Sequence, residues 1–302
     1  MYTKLPGSEG IEGTITALVT PFSEDASEVD FNSFEKLIEF QIEEKVDGIV
    51  VCGSTGEAAT LTDEEYKNVV ARAKKIIGNR TRLLAGIGTN STAKALEITR
   101  FLNEQLKAAD GDIIMVVAPP YNKPSQEGII RHIEEVKKES RLPIMAYNVP
   151  GRTGVNILPS TIHALSQKGT IIAVKEASGS VDQIMDAVTA AGAKANVLSG
   201  DDALTLPTMA CGTKGIVSVV SNVEPRLVKA ITQNALLGKW DDAKEAHYQM
   251  LPLCRALFME SNPVPVKAAA HIRGLIKHES VRLPLITAGD KTKEKLRTLL
   301  LK

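Results

Sequence analysis

One lysine near the middle of the chain has the setting that carbonyl chemistry requires. Lys175 ends the run TIIAVK and, with the period of two of a β-strand, shares a face with Ile171 and Ala173. A lysine that points into an apolar interior is desolvated, which favours the neutral amine that attacks a ketone to form an imine. Taken alone, the pattern favours a strand-end lysine that reaches solvent or pairs with Glu176. The neighbouring motifs favour the imine.

The segment GSTGE, residues 53–57, offers two hydroxyl groups between glycines. Glycine lets the backbone approach a ligand closely, and the amides and hydroxyls of Ser54 and Thr55 suit a small carboxylate near a helix start. The same residue types also form ordinary turns, so this segment alone leaves both interpretations open.

Tyr147 ends another apolar run, PIMAYN, and Arg152 follows in the next loop. The phenol of Tyr147 can move protons at an imine carbon, but only efficiently within a relay of hydroxyls, for which Ser54 and Tyr121 are candidates. Arg152 offers a planar fork for a substrate carboxylate. The alternatives are a core tyrosine with a satisfied hydroxyl and an arginine on a surface loop.

The five histidines favour no metal chemistry. They stand at positions 132, 163, 247, 271 and 278, all in helical patterns and none at a strand end. The sequence therefore offers no set of metal ligands for a metal-dependent aldol reaction. The chain also has no GxGxxG fingerprint and no P-loop. We therefore expect neither a metal nor another cofactor.

These residues need a scaffold that brings strand ends together, and the chain predicts one. Short runs rich in Ile and Val alternate with longer amphipathic stretches, as in repeated βα units. The eight runs are 14–20, 48–52, 82–88, 113–118, 143–148, 170–175, 196–200 and 215–220. Eight units predict a (β/α)8 TIM barrel, whose active site lies at the carboxyl ends of the strands, more than a doubly wound open sheet.

Local signals mark the helices between these strands. Side chains suited to N-caps precede four of them, and glycines follow two; these are Asp30, Thr62, Ser91 and Ser125, then Gly78 and Gly238. Beyond about residue 236 the pattern is helical only, over 240–259, 264–277 and 289–301. We divide the chain into a catalytic barrel, 12–235, and a C-terminal helical appendage, 236–302, that packs directly against it.

The charge balance, the apolar runs and the cysteine count indicate which kinds of binding partner and which compartment to expect. Lys plus Arg equal Asp plus Glu at 36 each, so no net charge favours nucleic acid or an anionic membrane surface, and a small-molecule substrate fits better. No run approaches the roughly 20 apolar residues of a membrane span, and the first 14 residues lack the basic and apolar pattern of a secretion signal, so we expect a protein that is not exported. Cys52, Cys211 and Cys254 are few and odd in number, which favours a reducing cytoplasm over a disulfide framework.

Six motifs in order, GSTGE, PYNKPSQEG, YNVPGRTG, KEASG, SGDD and NPVPVK, resemble the dihydrodipicolinate synthase family across residues 12 to about 275. The resemblance implies a homotetrameric lyase in which pyruvate forms a Schiff base with a lysine and condenses with L-aspartate 4-semialdehyde, in lysine and diaminopimelate biosynthesis. Its implied roles are Lys175 for the imine, Tyr147 for proton transfer, Ser54 and Tyr121 for the relay, Thr55 for the pyruvate carboxylate, and Arg152 for the semialdehyde carboxylate. Gly200 and the backbone of Val217 match positions near pyruvate and Lys175, and Tyr121 is implied to reach into a neighbouring subunit's site.

One departure concerns the branch of the superfamily. The synthase pattern usually has GTTGE, whereas GSTGE is common in the related N-acetylneuraminate lyases. Serine keeps the hydroxyl, and Arg152 together with the SQEG segment resembles the synthase branch. The alternatives are another pyruvate-dependent aldolase, acting on N-acetylneuraminate or a 2-keto-3-deoxy sugar acid, and a non-catalytic barrel that senses a ligand.

A second departure concerns feedback inhibition by lysine. Members that respond to lysine usually carry a histidine or basic residue where Tyr66 stands, a glutamate where Lys94 stands and a tyrosine where Pro120 stands, and only Asn90 is retained. A cationic Lys94 would repel the ammonium groups of the effector. We therefore expect weak inhibition by lysine or none.

Overall fold

The computed structural model describes residues 10–301 of the 302. Within that range, eight parallel strands form a closed barrel in which each strand pairs with the next and β1 pairs with β8. The strands are β1 Gly13–Ala17, β2 Gly48–Val51, β3 Arg82–Ile87, β4 Ile113–Val117, β5 Ile144–Asn148, β6 Ala173–Glu176, β7 Asn196–Ser199 and β8 Gly215–Ser218. The predicted (β/α)8 barrel is confirmed, and each of the eight predicted runs contains or overlaps one strand.

Helices connect the strands and close the chain. They are α1 Phe31–Glu43, α2 Asp63–Ile77, α3 Thr92–Gln105, α4 Gln126–Glu139, α5 Pro150–Thr153, α6 Pro159–Gln167, α7 Val181–Ala191, α8 Thr205–Ala210, α9 Pro225–Leu236, α10 Trp240–Leu257, α11 Val264–Ile272 and α12 Asp290–Leu300. None of those within residues 10–301 is long and apolar enough to cross a membrane.

The predicted helix starts are confirmed at all four positions. Asp30, Thr62, Ser91 and Ser125 each accept a hydrogen bond from the backbone amide three residues further on. These bonds satisfy donors that have no partner inside the helix. The short polar residues therefore set where the helices begin and how long the loops above the barrel are.

Two buried layers fill the protein. One occupies the barrel interior and includes Ile15, Val50, Leu84, Met145 and Leu198. The second lies between the strands and the surrounding helices. Because parallel strands are buried on both faces, inward and outward residues are similarly apolar.

The inward face of β6 differs in part from the prediction. Ala173 lies in the barrel interior as expected, but Ile171 packs in the outer layer, so its predicted place on the face of Lys175 is wrong. The reason is that β6 begins only at Ala173. Residues 170–172 precede the strand and do not follow its alternation.

The three C-terminal helices follow the prediction with one change. α11 ends at Ile272 and not near residue 277, because Gly274 adopts a left-handed φ of 67° and its amide bonds back to the carbonyl of His271. α10 packs against α9, and α11 packs against α12.

Candidate active site

The carboxyl ends of β5 and β6 place Tyr147 beside Lys175, since the two residues are partners in the strand register. Both side chains are buried, with Lys175 6% and Tyr147 5% exposed. The Lys175 Nζ atom lies 4.2 Å from the centroid of the Tyr147 ring. An amine held against an aromatic ring at a strand end is placed to act as a nucleophile on a ligand bound there.

The residues that follow Tyr147 in β5 and Lys175 in β6 form a polar pair that the sequence did not predict. Asn148 and Glu176 are register partners, and the Asn148 Nδ2 atom donates to both Glu176 oxygens at 3.1 and 2.9 Å. Glu176 is fully buried and also accepts from the amide of Ser178 at 2.8 Å. This pair ties β5 to β6 next to the point where Tyr147 meets Lys175.

Two further side-chain amides, those of Asn156 and Gln183, form hydrogen bonds that hold the Asn148–Glu176 pair in place. Asn156 accepts from Asn148 Nδ2 at 2.7 Å and exchanges hydrogen bonds of 2.7 and 2.9 Å with the side chain of Gln183 on α7. Buried polar networks of this kind fix one geometry when every member is satisfied. The strand ends that carry Lys175 and Tyr147 are therefore held from behind by hydrogen bonds as well as by packing.

The GSTGE loop after β2 packs tightly against its neighbours. The Thr20 hydroxyl donates to the Gly56 carbonyl at 2.8 Å. A side chain at Gly86, in β3, would place its Cβ atom 2.3 Å from the Cys52 carbonyl oxygen, so glycine there lets the loop approach the sheet. The loop conformation is thus set partly by β1 and β3.

Thr55, in that loop, is 4% exposed and meets the C-terminal region. Its Oγ1 atom accepts a hydrogen bond of 2.9 Å from the side chain of Asn262. Because the oxygen is used as an acceptor, the Thr55 hydroxyl proton remains available for donation to an anion. The Oδ1 atom of Asn262 is buried with no hydrogen-bond partner among residues 10–301.

A cavity of about 320 Å³ opens above β2 to β5. Of the predicted site residues, Ser54, Tyr147 and Arg152 line it. The C-terminal region supplies the opposite wall through Ser261, Asn262, Pro263, Pro284 and Leu285. Lys175, Thr55 and Gly200 do not line this cavity, although the Lys175 amine contacts the ring of Tyr147, which does.

Arg152 stands at the cavity wall on the short helix α5. Its Nη2 atom donates to the main-chain carbonyl of Asn262 at 3.0 Å. That bond uses one of the five guanidinium donors and leaves the others for a carboxylate.

Tyr121 is placed apart from the other predicted residues. Its side chain is 87% exposed, it does not line the cavity, and its backbone has a left-handed φ of 70°. The Tyr121 amide donates to the carbonyl of Thr153 at 3.0 Å, which fixes the loop beside Arg152. In the described chain no hydrogen bond joins the hydroxyls of Ser54, Tyr147 and Tyr121, so a single subunit does not close the predicted relay.

Gly200 and Val217 lie where β7 and β8 face Lys175 and the barrel interior. A Cβ atom at Gly200 would come 2.6 Å from Ala177 Cβ and 3.1 Å from Lys175 Cε. Val217 is 1% exposed and packs in the barrel interior with Tyr147. Gly200 therefore shapes the space around the Lys175 side chain, and Val217 belongs to the same interior layer as Tyr147.

A buried carboxylate follows Gly200 by two residues. Asp202 is fully buried and accepts from the Ser218 hydroxyl at 2.5 Å and from the Val219 amide at 2.9 Å. Burial raises the pKa of Asp202 to about 6 in spite of these hydrogen bonds. In the same part of the chain, residues 10–301, no cluster of three or more His, Cys, Asp or Glu side chains is arranged to hold a metal ion.

Comparison with known proteins points to one family. A family model described as "Dihydrodipicolinate synthetase family" matches residues 10–302. The 4-hydroxy-tetrahydrodipicolinate synthase of Geobacter metallireducens is 43% identical over 289 residues, which cover 96% of this chain and 97% of that protein.

Solved structures agree with that match. The dihydrodipicolinate synthase from Aquifex aeolicus is 41% identical with a TM-score of 0.91, over 96% of this chain and 97% of that one. The enzyme from Cyanidioschyzon merolae, solved with lysine bound, is 36% identical with a TM-score of 0.92, over 97% and 98%.

Proposed function

Since the chain belongs to the dihydrodipicolinate synthetase family, we propose that it condenses pyruvate, held as a Schiff base on Lys175, with L-aspartate 4-semialdehyde. The chain is a lyase with 4-hydroxy-tetrahydrodipicolinate synthase activity, the activity that its relatives' names give. The observation that carries the residue assignment is the buried Lys175 amine, 4.2 Å from the centre of the Tyr147 ring at the barrel's catalytic end.

The first half of the reaction uses pyruvate alone. The Lys175 amine adds to the C2 carbonyl, Tyr147 passes a proton to the oxygen, and water leaves to give the imine. The Thr55 hydroxyl and the amides of the GSTGE loop hold the pyruvate carboxylate. Loss of a proton from C3 then gives an enamine, whose carbon is the nucleophile for the second half.

The second half forms the carbon–carbon bond. The enamine carbon attacks the aldehyde carbon of the semialdehyde, and the developing alkoxide takes a proton through Tyr147 and Ser54. Arg152 binds the semialdehyde carboxylate, and the Asn262 Oδ1 atom, which has no hydrogen-bond partner within residues 10–301, can accept from its ammonium group. The semialdehyde's amino group, after losing a proton, then attacks C2 of the imine; the C2–Nζ bond breaks, so that Lys175 leaves as the free amine and a C=N bond closes the product ring.

The assembly is part of the proposal. We propose a homotetramer in which Tyr121 completes the relay of a neighbouring subunit. The proposal is supported by the exposure of Tyr121, whose side chain is 87% accessible in a single subunit. A mixture of Lys175→Ala and Tyr121→Phe subunits tests the exchange. Neither variant alone should be active, whereas a mixed dimer contains one site with both native residues. No recovery after mixing would place Tyr121 in its own subunit's site.

Two further proposals concern organisation and location. We propose that residues 12–235 form the catalytic barrel and 236–302 the appendage, although the appendage reaches the cavity through residues 261–263, 284 and 285. We also propose a cytoplasmic enzyme, which is supported by three cysteines that are all free thiols.

The substrate assignment is tested by following pyruvate consumption with one acceptor at a time: aspartate semialdehyde, N-acetylmannosamine or glyceraldehyde. We expect turnover selective for the semialdehyde. Turnover with a sugar aldehyde alone would keep Lys175 and move the function to the lyase branch. The Lys175→Ala variant, checked for folding, gives the background rate.

A further inference from the structure

Two buried charges join the GSTGE loop to the C-terminal helices, and the mechanism above does not use them. The Lys267 Nζ atom, on α11, lies 2.6 Å from the Glu57 Oε1 atom, with side-chain exposures of 0% and 2%. The main-chain amide of Arg282 donates to the other oxygen, Oε2, at 3.0 Å. Both carboxylate oxygens of Glu57 are therefore held by the C-terminal region.

Burying the charged amine of Lys267 is energetically unfavourable. Its Nζ atom lies 4.0 Å from the centroid of the Phe22 ring, and its carboxylate partner is Glu57. Burial lowers the pKa of Lys267 to about 8, against the opposing effect of Glu57. Apolar residues of similar volume often stabilise a protein as well as a buried ion pair does. Stability alone is thus a weak reason for this pair.

The geometry of the loop gives a stronger reason. Glu57 adopts a left-handed φ of 52°, a strained conformation for a residue other than glycine. Its amide donates to the Ser54 carbonyl at 3.2 Å, and the next amide, of Ala58, donates to the Gly53 carbonyl at 3.3 Å. Fixing the Glu57 side chain therefore fixes the turn that carries Ser54 and Thr55.

We propose that the Glu57–Lys267 ion pair positions the GSTGE loop for pyruvate, so that the C-terminal helices act on the reaction through Ser54 and Thr55. This inference rests on the proposed function, because it assigns the loop to pyruvate binding and proton transfer. Glu57 lines the cavity, but both of its carboxylate oxygens are bound by Lys267 and the Arg282 amide, so we assign Glu57 and Lys267 as positioning residues.

Paired substitutions separate positioning from stability. Glu57→Gln and Lys267→Met should each lower the melting temperature, because each leaves one buried charge without a partner. The double variant removes both charges and should recover most of that loss. Its kcat/KM for pyruvate should nevertheless stay at least about tenfold below the parent, since the loop has lost its anchor. The KM for the semialdehyde, which Arg152 binds, should change less.

A conservative variant covers the case in which the double variant does not fold. Glu57→Asp keeps both charges and shortens the arm by one carbon, so the pair survives only if the loop moves. We expect a nearly native melting temperature with a reduced kcat/KM for pyruvate. The surface pair Lys168–Glu134, 2.7 Å apart with side-chain exposures of 60% and 24%, is the matched control; Lys168→Met with Glu134→Gln should leave both quantities unchanged.

Parent-like kcat/KM for pyruvate in a folded double variant, or in Glu57→Asp, would overturn the inference. Failure of the proposed function gives a different result. If the parent protein forms an imine with pyruvate but does not consume the semialdehyde, the substrate assignment fails. The effect of the pair on imine formation can still be measured, because that step needs pyruvate alone.

Discussion

Gly200 is the residue at which the structure gives the sharpest quantitative prediction. Added at this position, a Cβ atom would lie 2.6 Å from Ala177 Cβ and 3.1 Å from Lys175 Cε. Carbon atoms in van der Waals contact are about 3.5 Å apart or more. Relieving these contacts therefore requires shifts of about 0.9 and 0.4 Å, and the flexible Lys175 side chain is one of the groups that must move.

The expected effect of Gly200→Ala follows from those shifts. Overpacking of this size costs about 1–3 kcal/mol of stability, which leaves a folded protein. A misplacement of about 1 Å at reacting atoms can reduce a rate about 100-fold. We expect imine formation with saturating pyruvate to slow by about 10- to 100-fold. The assay is a time course in which the imine is trapped with borohydride and counted by mass spectrometry, with thermal unfolding measured in parallel.

Gly151→Ala is the control for this experiment. A Cβ atom at Gly151 would meet nothing within 4 Å, and its φ is outside the left-handed region. The same added methyl group should therefore leave imine formation unchanged. A folded Gly200→Ala protein that forms the imine at the parent rate would refute the argument that Gly200 holds space for Lys175.

Three further outcomes are expected. Arg152→Ala should impair the use of aspartate semialdehyde far more than imine formation with pyruvate, as compared by steady-state kinetics and borohydride trapping; equal losses would count against its role. Because Lys94 offers a cation and no carboxylate to the ammonium groups of lysine, lysine should inhibit weakly or not at all, and inhibition at micromolar lysine would contradict this. Burial raises the pKa of Asp202 from 3.8 to about 6, so the folded state holds this proton more tightly than the unfolded state. Its contribution to stability is complete below about pH 4 and is lost as the pH rises through 6, a change of about 3 kcal/mol. Asp202→Asn should remove that loss in denaturant titrations, and an unchanged pH profile would argue against a buried ionisation.

Much of the fold could be predicted because its signals are local. Each strand is a short apolar run between polar loops, and side chains such as Asp30 and Thr62 cap the helices that follow. The error at Ile171 arose because a parallel strand is apolar on both faces, so alternation alone does not say where a strand begins. The early end of α11 depends on the left-handed conformation of Gly274.

The site was less accessible to sequence reasoning. Lys175, Tyr147 and Arg152 stand out because they lie at strand ends or in the loops just after them. Asn262 and Lys267 do not, since their partners in the GSTGE loop are 207 and 210 residues away in the chain. The NPVPVK motif that contains both was part of the family resemblance, and this was the only sequence signal for them. The role that we propose for Tyr121 involves a second subunit, so one chain's sequence does not predict its position.

The central claim is that Lys175 forms the Schiff base. Its most direct test is to incubate the protein with pyruvate, reduce it with borohydride, and map the modified lysine by peptide mass spectrometry. We expect one reduced pyruvyl group per chain, on Lys175, and none in Lys175→Ala. Modification of a different lysine, such as the buried Lys267, or no modification at all, would contradict it.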